Sequence, residues 1–338
     1  MRPFIPLLGV VLVLGAAWPC QAQEAIPLMG NRDQALVAAT PGYRFYSDFW
    51  TNLHQYLYGI GGGGPEEGAG FAEEVASCID ALGAERAGPW REAVAYYRET
   101  LGALPHRRGF MRAVRYRLST LGRHASDDPR MPLVLGHLRA AAPAYRACLW
   151  DLHDTRNRAR IGDWVSMLVR YAPPLQRRLS IAYRGPWPGD LAVDVVSYVS
   201  YATADTETGI GLVDHVMVAS TMEDPTGFSA LETLLHEPGH ILFGPFHGTL
   251  SRTLQEAADQ LGVEPPDWLW HAIMFYTSGE LVRELAASQG VDYTPYWIEH
   301  ALAPEYEAPI REHWQPYLDG EVDMMRAALD LVRATTSE

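Results

Sequence analysis

The chain has 338 residues, of which 48% are hydrophobic, and ten Trp, enough apolar material for one large domain or two lobes with real cores and too much for a disordered tail. A net charge of −14 argues against a nucleic-acid partner. All 27 basic residues are Arg, which excludes any lysine chemistry.

The charge is unevenly placed. Through Arg184 there are 22 Arg against 16 acidic residues, and from Gly185 onward 5 Arg against 25 acidic residues. Either a basic and an acidic lobe pack on each other, or an acidic cleft favours cationic ligands or peptides.

The chain opens MRPFIPLLGVVLVLGAAWPCQAQEA. One Arg, an apolar run and a small-residue end are the pattern of a secretory signal peptide over residues 1–22, cut after Ala22. The run is short for a spanning helix, and no later segment is apolar enough to cross a bilayer. The expected location is therefore periplasmic or secreted, with no stable membrane insertion after cleavage. Export leaves Cys78 and Cys148, which an oxidising compartment allows to pair; two buried free thiols are the alternative.

Residues 23–175 read as a helical N-terminal lobe. GIGGGGPEEG, Gly59 to Gly68, suits a connection; no strand precedes it and no Gly-Lys-Ser/Thr follows, so phosphate binding is not indicated. GFAEEVASCIDALGAERAG has helical spacing and is expected to stop at Gly88-Pro89, where PWREAVAYYRETLGAL begins with a first-turn proline. GFMRAVRYRLSTLGRH and the segment from Met131 to Ala172 continue the helical pattern.

Near Pro173-Pro174 the texture changes, and residues 176–338 are expected to form a second lobe. LSIAYR, LAVDVVSYVSYA and GLVDHVMVAS are rich in Val, Tyr, Ile and Ser, separated by GPWPGD and TADTETG, which predicts a small antiparallel sheet. A helix is expected to follow from Ala230, with Ser229 and Glu232 as a capping box and Leu231, Leu234, Leu235 and Leu242 on its buried face. The fold class that results is α+β, mainly helical, with the small sheet packed on this helix.

That helix carries HEPGH, His236 to His240, an H-E-x-x-H spacing. Two histidines four apart share a helix face and can supply two ligands to Zn2+, while Glu237 beside the first can take a proton from water. Pro238 opposes this reading, because inside a helix it removes a donor and collides with the carbonyl of Leu234, at a cost of about 3 kcal/mol. Pro238-Gly239 is also a turn signal, so the helix could end at His236.

A third ligand is needed. His247 is one candidate, but Gly244 and His247 each come one position too late for the metzincin continuation H-x-x-G-x-x-H. LETLLHEPGH and FYTSGELVRE, with the sheet before them, resemble the gluzincin group of zinc peptidases over about residues 181–287. The resemblance implies Glu280 as third ligand, Glu237 as the base, a peptide or protein substrate, and a substrate-binding strand edge, here His215–Ser220.

Ile273, Tyr276, Thr277 and Glu284 lie within about 60° of Glu280 on a helix. Tyr276 can then donate to a developing oxyanion, or be a core aromatic, and Arg283 can orient the carboxylate. His271 falls opposite Glu280 on a continuous helix and is a secondary candidate. No G-x-S-x-G elbow or dinucleotide fingerprint is present. The expectation is an exported zinc-dependent hydrolase, most simply a metallopeptidase. The alternatives are a zinc hydrolase of other substrates, or a non-catalytic binding protein with a degenerate H-E-x-x-H segment.

Overall fold

The computed structural model describes residues 32–63, 72–104, 109–119, 128–199, 204–207, 215–221, 227–243 and 248–336. The signal-peptide segment, the glycines after Gly63, and His247 lie outside the described residues.

A short helix α1 (Arg32–Ala35) leads into a hairpin of β1 (Leu36–Thr40) and β2 (Tyr43–Tyr46). Helices α2 (Phe49–Tyr58), α3 (Ala72–Ala81), α4 (Ala84–Tyr96), α5 (Gly109–Ser119) and α6 (Met131–Tyr145) follow. Three of them, α2, α4 and α6, run on into π-helical turns at Gly59–Gly63, Tyr97–Leu101 and Arg146–Trp150. Then come α7 (Asp151–Tyr183), β3 (Leu191–Val196), β4 (Ala204–Glu207), β5 (His215–Ala219), α8 (Phe228–Phe243), α9 (Thr249–Leu261) and α10 (Leu269–Ser288). The C-terminal part holds α11 (Tyr296–Glu299), α12 (Glu307–His313), α13 (Gln315–Leu318) and α14 (Met324–Thr336). This is the expected mainly helical α+β architecture.

Local chemistry explains the boundaries. Asp48 caps α2, its carboxylate accepting from the Thr51 amide at 2.8 Å. The break between α3 and α4 falls at Gly83, whose φ of 77° only glycine adopts without strain, and not at Gly88-Pro89, which α4 passes through. LSIAYR is the end of α7 and not a strand. Ile161, Trp164, Leu168, Ala172, Leu175, Leu179, Ala182 and Tyr183 form one buried stripe at helical spacing, and that continuity prevails over Pro173-Pro174.

The sheet is mixed, where the sequence suggests antiparallel pairing throughout. Its order is β1-β2-β3-β5-β4, with β2–β3 and β3–β5 parallel and the outer pairs antiparallel. Alternation in a strand fixes which residues face the core but not which strand lies alongside. Here the whole helical segment between β2 and β3 serves as the long crossover that parallel pairing requires. One face of the sheet, Tyr43, Phe45, Val193, Val195, Val216 and Val218, packs into the core shared with α7, α8 and α10. A second core is made by residues from Phe49 to Leu149, and α7, which follows, runs unbroken through residue 175. The buried pair Arg32–Asp194 ties the first helix to β3.

Cys78 and Cys148 form a disulfide. It ties α3 to the π turn after α6 and closes a separation of 70 residues. Closing a loop of that length removes enough unfolded-state entropy to contribute about 4 kcal/mol. Replacing both cysteines by Ala is expected to lower chemical-denaturation stability by that order; a loss below about 1 kcal/mol would show that the helical lobe does not depend on the bridge.

Candidate metal centre

Helix α8 runs from Phe228 to Phe243 without ending at Pro238. Proline at 238 has no N–H to give the Leu234 carbonyl, which would otherwise be left without its helical partner. The structure supplies a substitute: the Tyr43 hydroxyl, fully buried on β2, donates to Leu234 O at 2.6 Å. Burial pushes the Tyr43 phenol far above its ordinary range, against a lowering hydrogen bond with Gln176, so it keeps its donor proton at any working pH. Gly239 faces α10, where an added Cβ would stand 3.1 Å from Met274 Cε, a tight contact with the end of a flexible side chain. Proline and glycine together therefore do not form a turn: the lost proline donor is replaced by Tyr43, and the glycine lies in close contact with the tip of Met274.

The expected buried face, Leu231, Leu234, Leu235 and Leu242, is buried. The capping box is not formed. The helix starts at Phe228, and Glu232 turns inward, accepting from the Tyr293 hydroxyl at 2.6 Å and the Tyr296 amide at 3.1 Å. Burial raises the Glu232 carboxyl to about 7, against those hydrogen bonds, which lower it, and with a smaller raising effect from Glu299.

His236 and His240 share one face of α8, and α10 presents His271 to them. The three ring centroids form a near-equilateral triangle, with separations of 5.1 Å, 5.2 Å and 5.0 Å. Their ligand atoms all lie within 4.8 Å of one another, close enough to hold a metal ion. His236 Nε2 and His271 Nε2 are 3.2 Å apart. Two nitrogens bound to one tetrahedral metal at about 2.0–2.1 Å would stand about 3.3 Å apart, close to the separation of this one pair. His236 is buried while His240 and His271 are partly exposed, which leaves the centre accessible from one side.

Aromatic rings hold the imidazoles in place. Phe275 stacks on His236 with centroids 4.1 Å apart, and Trp270 stacks on His271 at 4.9 Å. Trp270 also meets His240 edge-on at 5.8 Å. His271 and Phe275 are four apart on α10, as His236 and His240 are on α8, so two i, i+4 faces meet across the Gly239 contact.

Glu280 does not join this group and is corrected as the third ligand. It lies nine residues beyond His271, roughly half a turn around an unbroken α10, and its carboxylate is taken by Arg283 Nε at 2.8 Å and by a second, shorter bond to the same guanidinium. The expected pairing with Arg283 is thus present, but away from the histidines. Tyr276 follows Glu280 and not the metal face. Its hydroxyl donates to Gln315 Oε1 at 2.6 Å and its ring packs edge-on against Trp297, so it is a core aromatic and no oxyanion donor. Burial, with Glu280 as the next cause, pushes its phenol well up.

Glu237 is buried next to His236, and its carboxylate accepts a short hydrogen bond from the Thr206 hydroxyl on β4. The same hydroxyl reaches the Glu237 carbonyl at 3.0 Å. The strand expected to offer a free edge, β5, lies between β3 and β4, and β4 is the edge strand on that side among the described residues. Thr206 is invisible to motif reading, since no spacing links it to the helix 31 residues later. Among known proteins, the chain matches no family model, no curated protein and no solved structure.

Tyr43→Phe is expected to cost about 1–3 kcal/mol in chemical denaturation, the penalty of an orphaned buried carbonyl. In a Pro238→Ala background the loss should shrink, because the restored amide serves Leu234 O; equal losses in both backgrounds would remove the compensation. For Glu232, the native state keeps a proton that the unfolded chain releases between about 4.5 and about 7. Its contribution is therefore complete below that window and is lost as pH rises through it, by roughly 3 kcal/mol. His54 and His153, lowered by burial and then by Arg115 and Arg156 respectively, act in the opposite direction in acid. The difference between wild type and Glu232→Gln isolates the effect: the variant should gain relative stability from pH 5 to pH 8, and parallel curves would refute the raised carboxyl.

Proposed function

We propose that the chain is an exported metal-dependent hydrolase whose zinc is held by His236, His240 and His271. The observation that carries this is the approach of three imidazoles from two helices, with two nitrogens at the spacing of a zinc tetrahedron edge. Three neutral nitrogen donors suit zinc better than magnesium or calcium, which take oxygen ligands. Export is supported by the disulfide, a bond that persists in oxidising compartments, and by the signal-like opening residues.

A zinc ion at this position supplies a Lewis acid able to activate water at neutral pH. Glu237, adjacent to His236, is the group placed to accept the proton, and Thr206 is the residue that orients its carboxylate. His240 and His271 line the open side, where a carbonyl can enter. A peptide or protein is the substrate class we assign. β4 is an edge strand, and its Thr206 touches Glu237, so an extended peptide paired alongside β4 would pass the base.

A second reading also has an observation in its favour. The hydrogen bond from Thr206 occupies one Glu237 oxygen, which suits a purely structural or binding metal centre as well. Elemental mass spectrometry and hydrolysis assays on the purified mature protein separate the two. About one zinc per chain is expected, lost in His271→Ala and retained in Glu280→Ala and Glu237→Gln, with hydrolysis of a peptide library abolished in Glu237→Gln. Retention of zinc by His271→Ala would overturn the ligand set. Full zinc with no turnover in the wild type would favour the binding protein.

A further inference from the structure

Among the described residues, the exposed large hydrophobic side chains are Leu133, Leu152, Val169, Ile181 and Trp268. Trp268 is the aromatic one, at 56% exposure, and it stands at the metal centre, its ring centroid 5.0 Å from that of His271. An indole in water loses the burial that a ring of its size ordinarily finds. Trp268 sits just ahead of α10, and what it gives that helix is its backbone carbonyl, which accepts from the amides of His271 and Ala272 at 3.0 Å each.

Two more aromatics continue the same surface. Trp270 lies on His271 at an interplanar angle of 23°, and Phe275 lies on His236 at 17°. Both remain partly exposed. Behind them Phe243 closes the wall against Trp270 at 5.4 Å. The histidine triangle is thus bordered by flat aromatic faces, with Trp268 the most exposed of them.

Resting on the metal reading above, we infer that Trp268 forms a binding subsite, backed by Trp270 and Phe275, for an aromatic or flat apolar group next to the carbonyl that enters the histidine centre. The ligand class is a carbonyl compound, such as a peptide with an aromatic side chain beside the scissile bond. Offset or edge-to-face contact with the indole, together with removal of both faces from water, supplies the preference. Trp268 is a specificity-determining residue in this arrangement; it neither holds the metal nor moves a proton.

The test uses two small metal-binding probes that share a head group, acetohydroxamate and benzohydroxamate, titrated calorimetrically into the zinc-loaded mature protein. Benzohydroxamate should bind about tenfold more tightly in the wild type. Trp268→Ala should erase most of that margin, while zinc content and acetohydroxamate affinity stay unchanged, and Trp268→Phe should restore it. The backbone bonds of residue 268 are preserved in both variants, and zinc content reports that the centre is intact. A margin that survives Trp268→Ala, or is absent from a wild type that does bind acetohydroxamate, overturns the subsite and leaves the metal reading standing. Binding of neither probe to the zinc-loaded wild type would show a centre with no open position, which overturns the hydrolase reading and the subsite with it while the zinc content leaves the ligand set standing.

Discussion

The centre depends on one hydrogen bond between distant parts of the chain. His236 and His240 can share a face only if α8 continues past Pro238, and a helix interior tolerates proline poorly because a carbonyl loses its donor. The Tyr43 hydroxyl replaces that donor at Leu234 O. Since a buried unpaired carbonyl costs about 1–3 kcal/mol, this single contact offsets a large part of what the proline removes. The remaining clash is absorbed by packing, because α8 is buried along most of its length among α7, α10 and the sheet. Tyr43 itself is held by its strand, which pairs residue for residue with β3 from Leu191 to Asp194.

From that constraint the rest of the centre follows. A helix that continues past Pro238 brings Gly239 against the tip of Met274 on α10. Close approach lets the first turns of α10 reach the α8 histidines, so the third donor comes from His271 and not from the later, opposite-facing Glu280. Phe275, one turn after His271, then finds His236 to stack on. Pro238 and Gly239 look like damage to the motif when read alone. In the fold, the first is compensated by Tyr43 and the second sits in close contact with Met274.

Much of this was legible in the residues. Helical spacing identified the α8 leucines as a buried face, and the same spacing put His271 and Glu280 on opposite sides of α10. What periodicity could not say was which side of α10 faces α8, because a relative phase is internal to one helix while docking depends on two. The same limit applies to the sheet. Alternation marked β3 and β5 as strands, but their parallel pairing and the outer position of β4 depend on where the chain travels between them. LSIAYR was misleading for a related reason, since β-branched and aromatic residues in a short run suit a strand locally, while the stripe beginning at Ile161 is visible only over many turns. Thr206 and Tyr43 belong to a further class. Each acts through one hydroxyl on a group far along the sequence, and no local signal marks such a partner.

These contacts also change what counts as the unit that carries the three histidines. Composition divides the chain near residue 175, yet α7 crosses that point in one piece, and the strand that completes α8 comes from residues 43–46. Tyr43 and Phe45 belong to the same core as Leu234 and Ile273, whereas the residues from Phe49 to Leu149 form a core of their own around α2, α4 and α6. The helical segment is therefore an insertion between β2 and β3, closed internally by its disulfide, and the chain must return from it before the sheet can be completed. Arg32 acts from the same side of that insertion, its guanidinium paired with Asp194 on β3. The half that carries the three histidines thus begins at the N-terminal hairpin, and its integrity depends on a crossover of more than a hundred residues. Such long-range closure is slow to form, because its entropy must be lost before the contacts that stabilise it exist. A disulfide within the crossover shortens the effective loop, which gives the bridge a bearing on the centre although it lies in the other core.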